Sequence, residues 1–441
     1  MIRALMLTTT TLATTTLATA LLAAAPAMAQ TVAITGGTVA LGDGGAPVEN
    51  GTLLFRDGRI VAAGAGIAVP ADATVIDARG KWIAPGFVAA FSTLGLQDAE
   101  GVEESNDVSA GKSPFAAAID VSTAINPAEV KLANERLGGV TRAFVAPGSD
   151  GSIFAGQGAV IDLGDDPDPV TRARAFQYVE LGENGAREAG GSRPAAYALF
   201  RDALAQAQDY RRNPAAFGGR ERGSLLKRGD AEALLRVIDG AMPLVVHVER
   251  ASDIRSVLGL VRDYPRLRLV LTGVSEGWLA AREIAAAKVP VIAAALADLP
   301  ESFESLAATE SNVGRMRAAG VTVALAAAGN GGEHNIRQFA GNLVGITRVP
   351  GATGLDWGQA LASITAGPAA ALGLDGEIGS LRPGRRADVV MWDGDPLELE
   401  SQPVAIWIDG RAQPMRSRQT ELRDRYLTPG EHALPKAYER R

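Results

Sequence analysis

Short alternating or β-branched runs follow residue 30: Val32-Ala33-Ile34, Thr52-Leu53-Leu54-Phe55, Arg59-Ile60-Val61-Ala62 and Thr74-Val75-Ile76, with the hairpin signal Asp57-Gly58 between two of them. The same texture returns in Asp388-Val389-Val390-Met391-Trp392 and Val404-Ala405-Ile406-Trp407-Ile408, ahead of the turn Asp409-Gly410. Two strand-rich ends around a long middle predict one composite β-sandwich, residues 31–84 plus 371–415. The middle has another rhythm. Apolar strand-like runs alternate with Ala-rich helical stretches, as repeated βα units around a parallel sheet require. Strands are predicted at residues 139–145, 158–161, 243–248, 268–272, 289–292 and 321–325, with helices over 230–239 and 251–264 and a loop over 211–228. Residues 420–441 read as a polar C-terminal tail.

Residues 1–29 stand apart from the fold. Arg3, a Thr/Ala/Leu-rich run and Ala27-Met28-Ala29 before Gln30 form a secretory signal peptide with a small-residue cleavage site. The expected location is therefore the periplasm, with no membrane span after cleavage. The chain has no cysteine, which excludes disulfides and thiol chemistry. A net charge of −7 without a long block of one sign argues against nucleic acid as a partner. With 51 glycines and 5% aromatic residues, the core is built from small and branched aliphatic side chains joined by tight turns.

Several separated segments carry a resemblance. They include Gly36-Gly37-Thr38, Asp57-Gly58-Arg59-Ile60, Val75-Ile76-Asp77-Ala78 leading to Pro85-Gly86-Phe87, and Gly138-Gly139-Val140-Thr141. The most specific is Ile378-Gly379-Ser380-Leu381-Arg382-Pro383-Gly384, running on to Ala387-Asp388-Val389-Val390. In this order they resemble the amidohydrolase superfamily, in its exported, imidazolonepropionase-like branch. The resemblance implies an α/β fold: a (β/α)8 TIM-type barrel over residues 85–370, carrying the composite β-sandwich. It also implies hydrolysis of C–N bonds in small or cyclic substrates, by water activated on one or two divalent metals such as zinc.

The family's ligand positions are largely altered. Its first strand carries two histidines, and Ile83 to Thr93 places Phe91 and Thr93 there; neither a phenyl ring nor a lone hydroxyl replaces imidazole. Gly273 stands at the sixth-strand histidine and Ala328 at the eighth-strand aspartate, while Tyr178-Val179-Glu180-Leu181 on the fourth strand offers no bridging lysine. His247 matches the fifth-strand ligand, and it is the one candidate metal residue. Metal is expected to be weakly held or absent.

His247 also reads as a general base, or as a hydrogen-bonded core residue. Glu183 in a βα loop is a candidate base or helix cap, and His334 in Gly331-Gly332-Glu333-His334 is a second candidate or a surface histidine. Asp98, Glu100, Glu103, Glu104 and Asp107 read as a solvated acidic loop rather than replacement ligands, Gly148 to Ser152 as a plain turn, and His432 as part of the tail. Three functional readings follow. They are a hydrolase by descent whose catalysis is in question, a pseudoenzyme binding a small molecule or envelope partner, and a metal-free hydrolase using His247 with Glu183 or His334. The substrate is unassigned, and an oligomer is compatible with the sequence.

Overall fold

The structure is a computed structural model that describes residues 31–99, 101–217, 226–327 and 332–427. The predicted signal peptide, Glu100, Ala328 and His432 lie outside the described residues. Five strands open the chain: β1 (Thr31–Val39), β2 (Val48–Arg56), β3 (Arg59–Gly64), β4 (Thr74–Asp77) and β5 (Trp82–Pro85). Eight form the middle: β6 (Phe87–Ser92), β7 (Val140–Val145), β8 (Phe154–Asp162), β9 (Val170–Glu180), β10 (Leu244–Val248), β11 (Leu269–Gly273), β12 (Val291–Ala294) and β13 (Val323–Ala326). Three close it: β14 (Val389–Trp392), β15 (Pro403–Ile408) and β16 (Arg411–Ala412). The outer strands make one mixed sheet in the order β16-β15-β14-β5-β1-β2-β3, with β4 beside β1. Both termini thus meet where β14 pairs with β5.

The middle strands run in spatial order β6 to β13, and β13 returns against β6, so the sheet is nearly closed. It departs from uniform parallel βα units at one place. β8 is antiparallel to both β7 and β9. The links 146–153 and 163–169 contain no helix, and a parallel return needs a crossover of a dozen or more residues. Elsewhere helices intervene, among them α1 (Val130–Leu137), α2 (Glu183–Glu188), α3 (Arg193–Arg212), α4 (Arg228–Ile238), α5 (Ala251–Leu258) and α6 (Leu260–Asp263). A final helix, Arg418–Leu427, buries none of its residues. No helix among the described residues is long and apolar enough to cross a membrane.

Strand alternation divides two cores. Val88, Ala90, Phe144, Phe176, Tyr178, Val245, Val270, Ile292 and Ala324 fill the barrel interior. Phe87, Ala89, Val179, Val246 and Leu271 face the helices. Arg268, just before β11, donates to the Leu372 carbonyl (2.9 Å), and Leu372 itself packs on the interior, so this segment closes the N-terminal ends of the strands.

Two of the signature segments have a structural explanation. Fully buried Arg142 on β7 holds Asp388 through Nε–Oδ2 (2.8 Å) and Nη2–Oδ1 (2.9 Å), and also reaches Asp409 (2.8 Å) and Asp162 (3.6 Å). Burial disfavours the guanidinium's charge, but these carboxylates outweigh that and hold it above its ordinary range. Asp388 thereby ties the outer sheet to the barrel. Gly86 is equally structural, since a Cβ there would lie 2.1 Å from the Thr141 side chain.

Candidate functional site

Tyr178 and Glu180 alternate with Val179 on β9, so both share the interior face. Val245 on β10 is also interior, and His247 and Glu249 continue its face at intervals of two. The parallel register sets Glu180 directly beside His247. A continuous chain of contacts results at the C-terminal ends of the strands. The Tyr178 hydroxyl donates to Glu180, Glu180 Oε2 lies 2.7 Å from His247 Nδ1, and His247 Nε2 lies 2.9 Å from Glu249 Oε1. The Ser275 amide then donates to Glu249 Oε2 (2.7 Å). Phe91 from β6 meets Tyr178 edge-on, with ring centroids 4.9 Å apart, and packs on the interior core.

Burial works against a charge on His247, but its hydrogen bonds with Glu180 and Glu249 prevail and raise its pKa to about 10. Burial pushes the two carboxyls up, and their bonds to His247 bring both below the usual range. Burial and the neighbouring Glu180 carboxylate push the Tyr178 phenol well up. At neutral pH the array is an imidazolium between two carboxylates.

A pocket of about 490 Å³ opens beside it, lined by His247, Glu249, Ser275, Leu296, Ser302 and Glu304 among others. Glu304 accepts from the Glu183 amide (2.7 Å) and from Arg193 Nη2 (2.9 Å). Burial nevertheless leaves its pKa raised.

Of the three residues singled out from sequence, only His247 occupies this array. The Glu183 side chain is exposed at the start of α2, and its backbone amide alone reaches the wall, through Glu304. His334 sits in a separate group beside α1, where its amide (2.6 Å) and Nδ1 (2.9 Å) meet Glu135 Oε2. Next to it, burial pushes the Glu333 carboxyl up to about 7 despite a hydrogen bond with Ser92. Asp98, Glu103, Glu104, Asp107 and Thr93 are exposed. Ser149 donates to the Ser152 carbonyl (2.8 Å), as a plain turn would. Sequence reading passed over Glu180, Glu249 and Tyr178. The available signal was the two-residue spacing of Tyr178-x-Glu180 and His247-x-Glu249 at strand ends.

The residues as placed do not fit a divalent metal. Both ring nitrogens of His247 face carboxylates, and among the described residues no three His, Cys, Asp or Glu side chains are placed to hold an ion. Gly273 has φ +84°, and a Cβ there would lie 2.3 Å from Glu249 Oε1 and 2.8 Å from His247 Cδ2. The His247–Glu249 pair takes the space that a side chain at Gly273 would need.

Residues 203–415 match the model of the amidohydrolase family. The chain is 24% identical over 425 residues to the amidohydrolase tasK of Hapsidospora irregularis, covering 83% of this chain and 39% of that protein. It is 39% identical over 105 residues to the imidazolonepropionase of Maricaulis maris, covering 23% of this chain and 25% of that one. The chain therefore spans about two fifths and a quarter of these relatives' lengths. Among solved structures, an amidohydrolase from Thermotoga maritima superposes with a TM-score of 0.76 at 24% identity, over 87% of this chain and 100% of that one. A molinate hydrolase superposes with a TM-score of 0.54 at 19% identity, over 94% and 99%.

Proposed function

We propose that this chain, which carries the amidohydrolase-superfamily barrel fold, is an exported protein that binds a small molecule at the barrel mouth without metal-dependent hydrolysis. The observation that carries this reading is the engagement of both His247 ring nitrogens by Glu180 and Glu249. A charged imidazolium has no lone pair for a metal and cannot accept a proton. Phe91 adds to the case by packing on Tyr178 at the end of the first barrel strand. The array's two carboxylates exceed its one cation, so the mouth suits a ligand with a cationic or hydrogen-bond-donating group.

One observation favours the superfamily's own activity as a second reading, hydrolysis of C–N bonds in small or cyclic substrates. Glu180 and His247 lie side by side at the ends of the fourth and fifth barrel strands, and release of Glu249 would free Nε2 as a ligand.

Elemental analysis of untagged mature protein, before and after incubation with zinc, manganese or iron, separates the two. Metal content well below one equivalent is expected. Near-stoichiometric metal that disappears in His247→Ala would overturn the binding reading and establish a metallohydrolase site. Cell fractionation tests export, with the processed chain expected in the periplasmic fraction and the unprocessed chain in the cytosol opposing it.

A further inference from the structure

A second pocket, of about 620 Å³, lies between α3 and the α5–α6 segment, outside the barrel mouth. Arg193, Tyr197 and Arg201 recur at intervals of four on α3, so they share one helical face. Arg250 precedes α5, and Arg255 and Arg262 follow on α5 and α6 with Gly259 between them. These five arginines all line one concavity, whose acidic lining residues are Asp253 and Asp263.

Internal pairing accounts for part of that charge. Arg193 and Arg250 share Asp253, at 2.7 and 2.9 Å, and Arg193 also holds Glu304. Arg255 pairs with Glu283 (2.9 Å). Two arginines are left. Among the described residues, Arg201 reaches only exposed Asp263, at 3.9 Å, and Arg262 has no carboxylate partner. Like charges gathered in a concavity repel, and the field they create there draws anions.

We propose that this arginine-lined pocket is a second binding site, for a small molecule bearing a phosphate group. Guanidinium forks match the tetrahedral oxygens of phosphate with paired hydrogen bonds, and a doubly charged group answers the two under-compensated arginines better than a carboxylate does. Gly259 adds no side chain to the lining between Arg255 and Arg262. Arg193–Glu304 forms the wall shared with the barrel mouth. The site is independent of what the mouth binds.

Calorimetric titration with pyrophosphate, at constant ionic strength set by chloride, tests this on the mature chain, the Arg201→Ala/Arg262→Ala double variant and His247→Gln. Saturable one-site binding is expected in the parent, weakened about tenfold or more in the double variant and unchanged in His247→Gln. Both arginines lie at the surface, so unchanged thermal unfolding of the double variant is expected and verifies its fold. Absence of saturable binding to the parent would overturn the proposal. So would equal affinity in the double variant, or a loss confined to His247→Gln, which would place the anion in the mouth.

Discussion

Replacing His247 by Gln removes a charge while keeping a hydrogen-bonding side chain between Glu180 and Glu249. The folded imidazolium has a pKa of about 10 against an ordinary 6.5, and one pH unit corresponds to about 1.4 kcal/mol. The array thus contributes an upper bound of about 5 kcal/mol, and screening at the open mouth reduces this to about 2–3 kcal/mol. The sign follows from linkage: a raised histidine pKa stabilises fully below the unfolded value, and the contribution fades as pH climbs from 6.5 towards 10. Glu180 and Glu249 act oppositely, because their lowered pKa values contribute above the ordinary carboxylate range and are lost in acid. Urea unfolding of the parent and His247→Gln at intervals between pH 6 and 9.5 should therefore show a stability gap that is largest near pH 6 and narrows by about 1 kcal/mol or more on the way up. A gap that stays constant across this range would refute the charged-imidazolium assignment.

Three further outcomes follow from the same geometry. Arg142→Ala leaves Asp388, Asp409 and Asp162 without their shared cation and should lower stability by about 3–5 kcal/mol, read by urea unfolding; a loss under about 1 kcal/mol would contradict the tie between sheet and barrel. Gly273→Ala places a Cβ against Glu249 at a backbone φ of +84° and should cost about 2 kcal/mol or more, whereas an unchanged melting temperature would show that the mouth yields freely. Tyr178→Phe removes the hydroxyl donor to Glu180 and should cost about 1–2 kcal/mol, with double-mutant coupling to His247→Gln as the check; strict additivity would separate the two groups.

The strand-rich ends and the alternating middle made the architecture legible, because a two-residue period and a helical period bury different positions. Runs such as Leu244–Val248 and Leu269–Gly273 are strands as read, and Arg228–Ile238 is a helix. The antiparallel β8 was not legible, because orientation depends on what the linking residues can span rather than on the strand's own pattern. At the site, His247 stood out through its place in an apolar strand and its match to a family position. Glu183 reads as a candidate base from its place in a loop, yet its side chain is exposed, and the carboxylate buried against His247 is Glu180. The amino-acid order by itself determined which side chains alternate onto the barrel's inner face, and so which residues could meet at its mouth. Only the tertiary structure decided that Glu180 and His247 are neighbours, through a parallel register across 67 positions of chain. It also decided that Glu249 closes over the second ring nitrogen in the space above Gly273. Burial and proximity across strands set the charge of that imidazole, and neither is written in the local sequence.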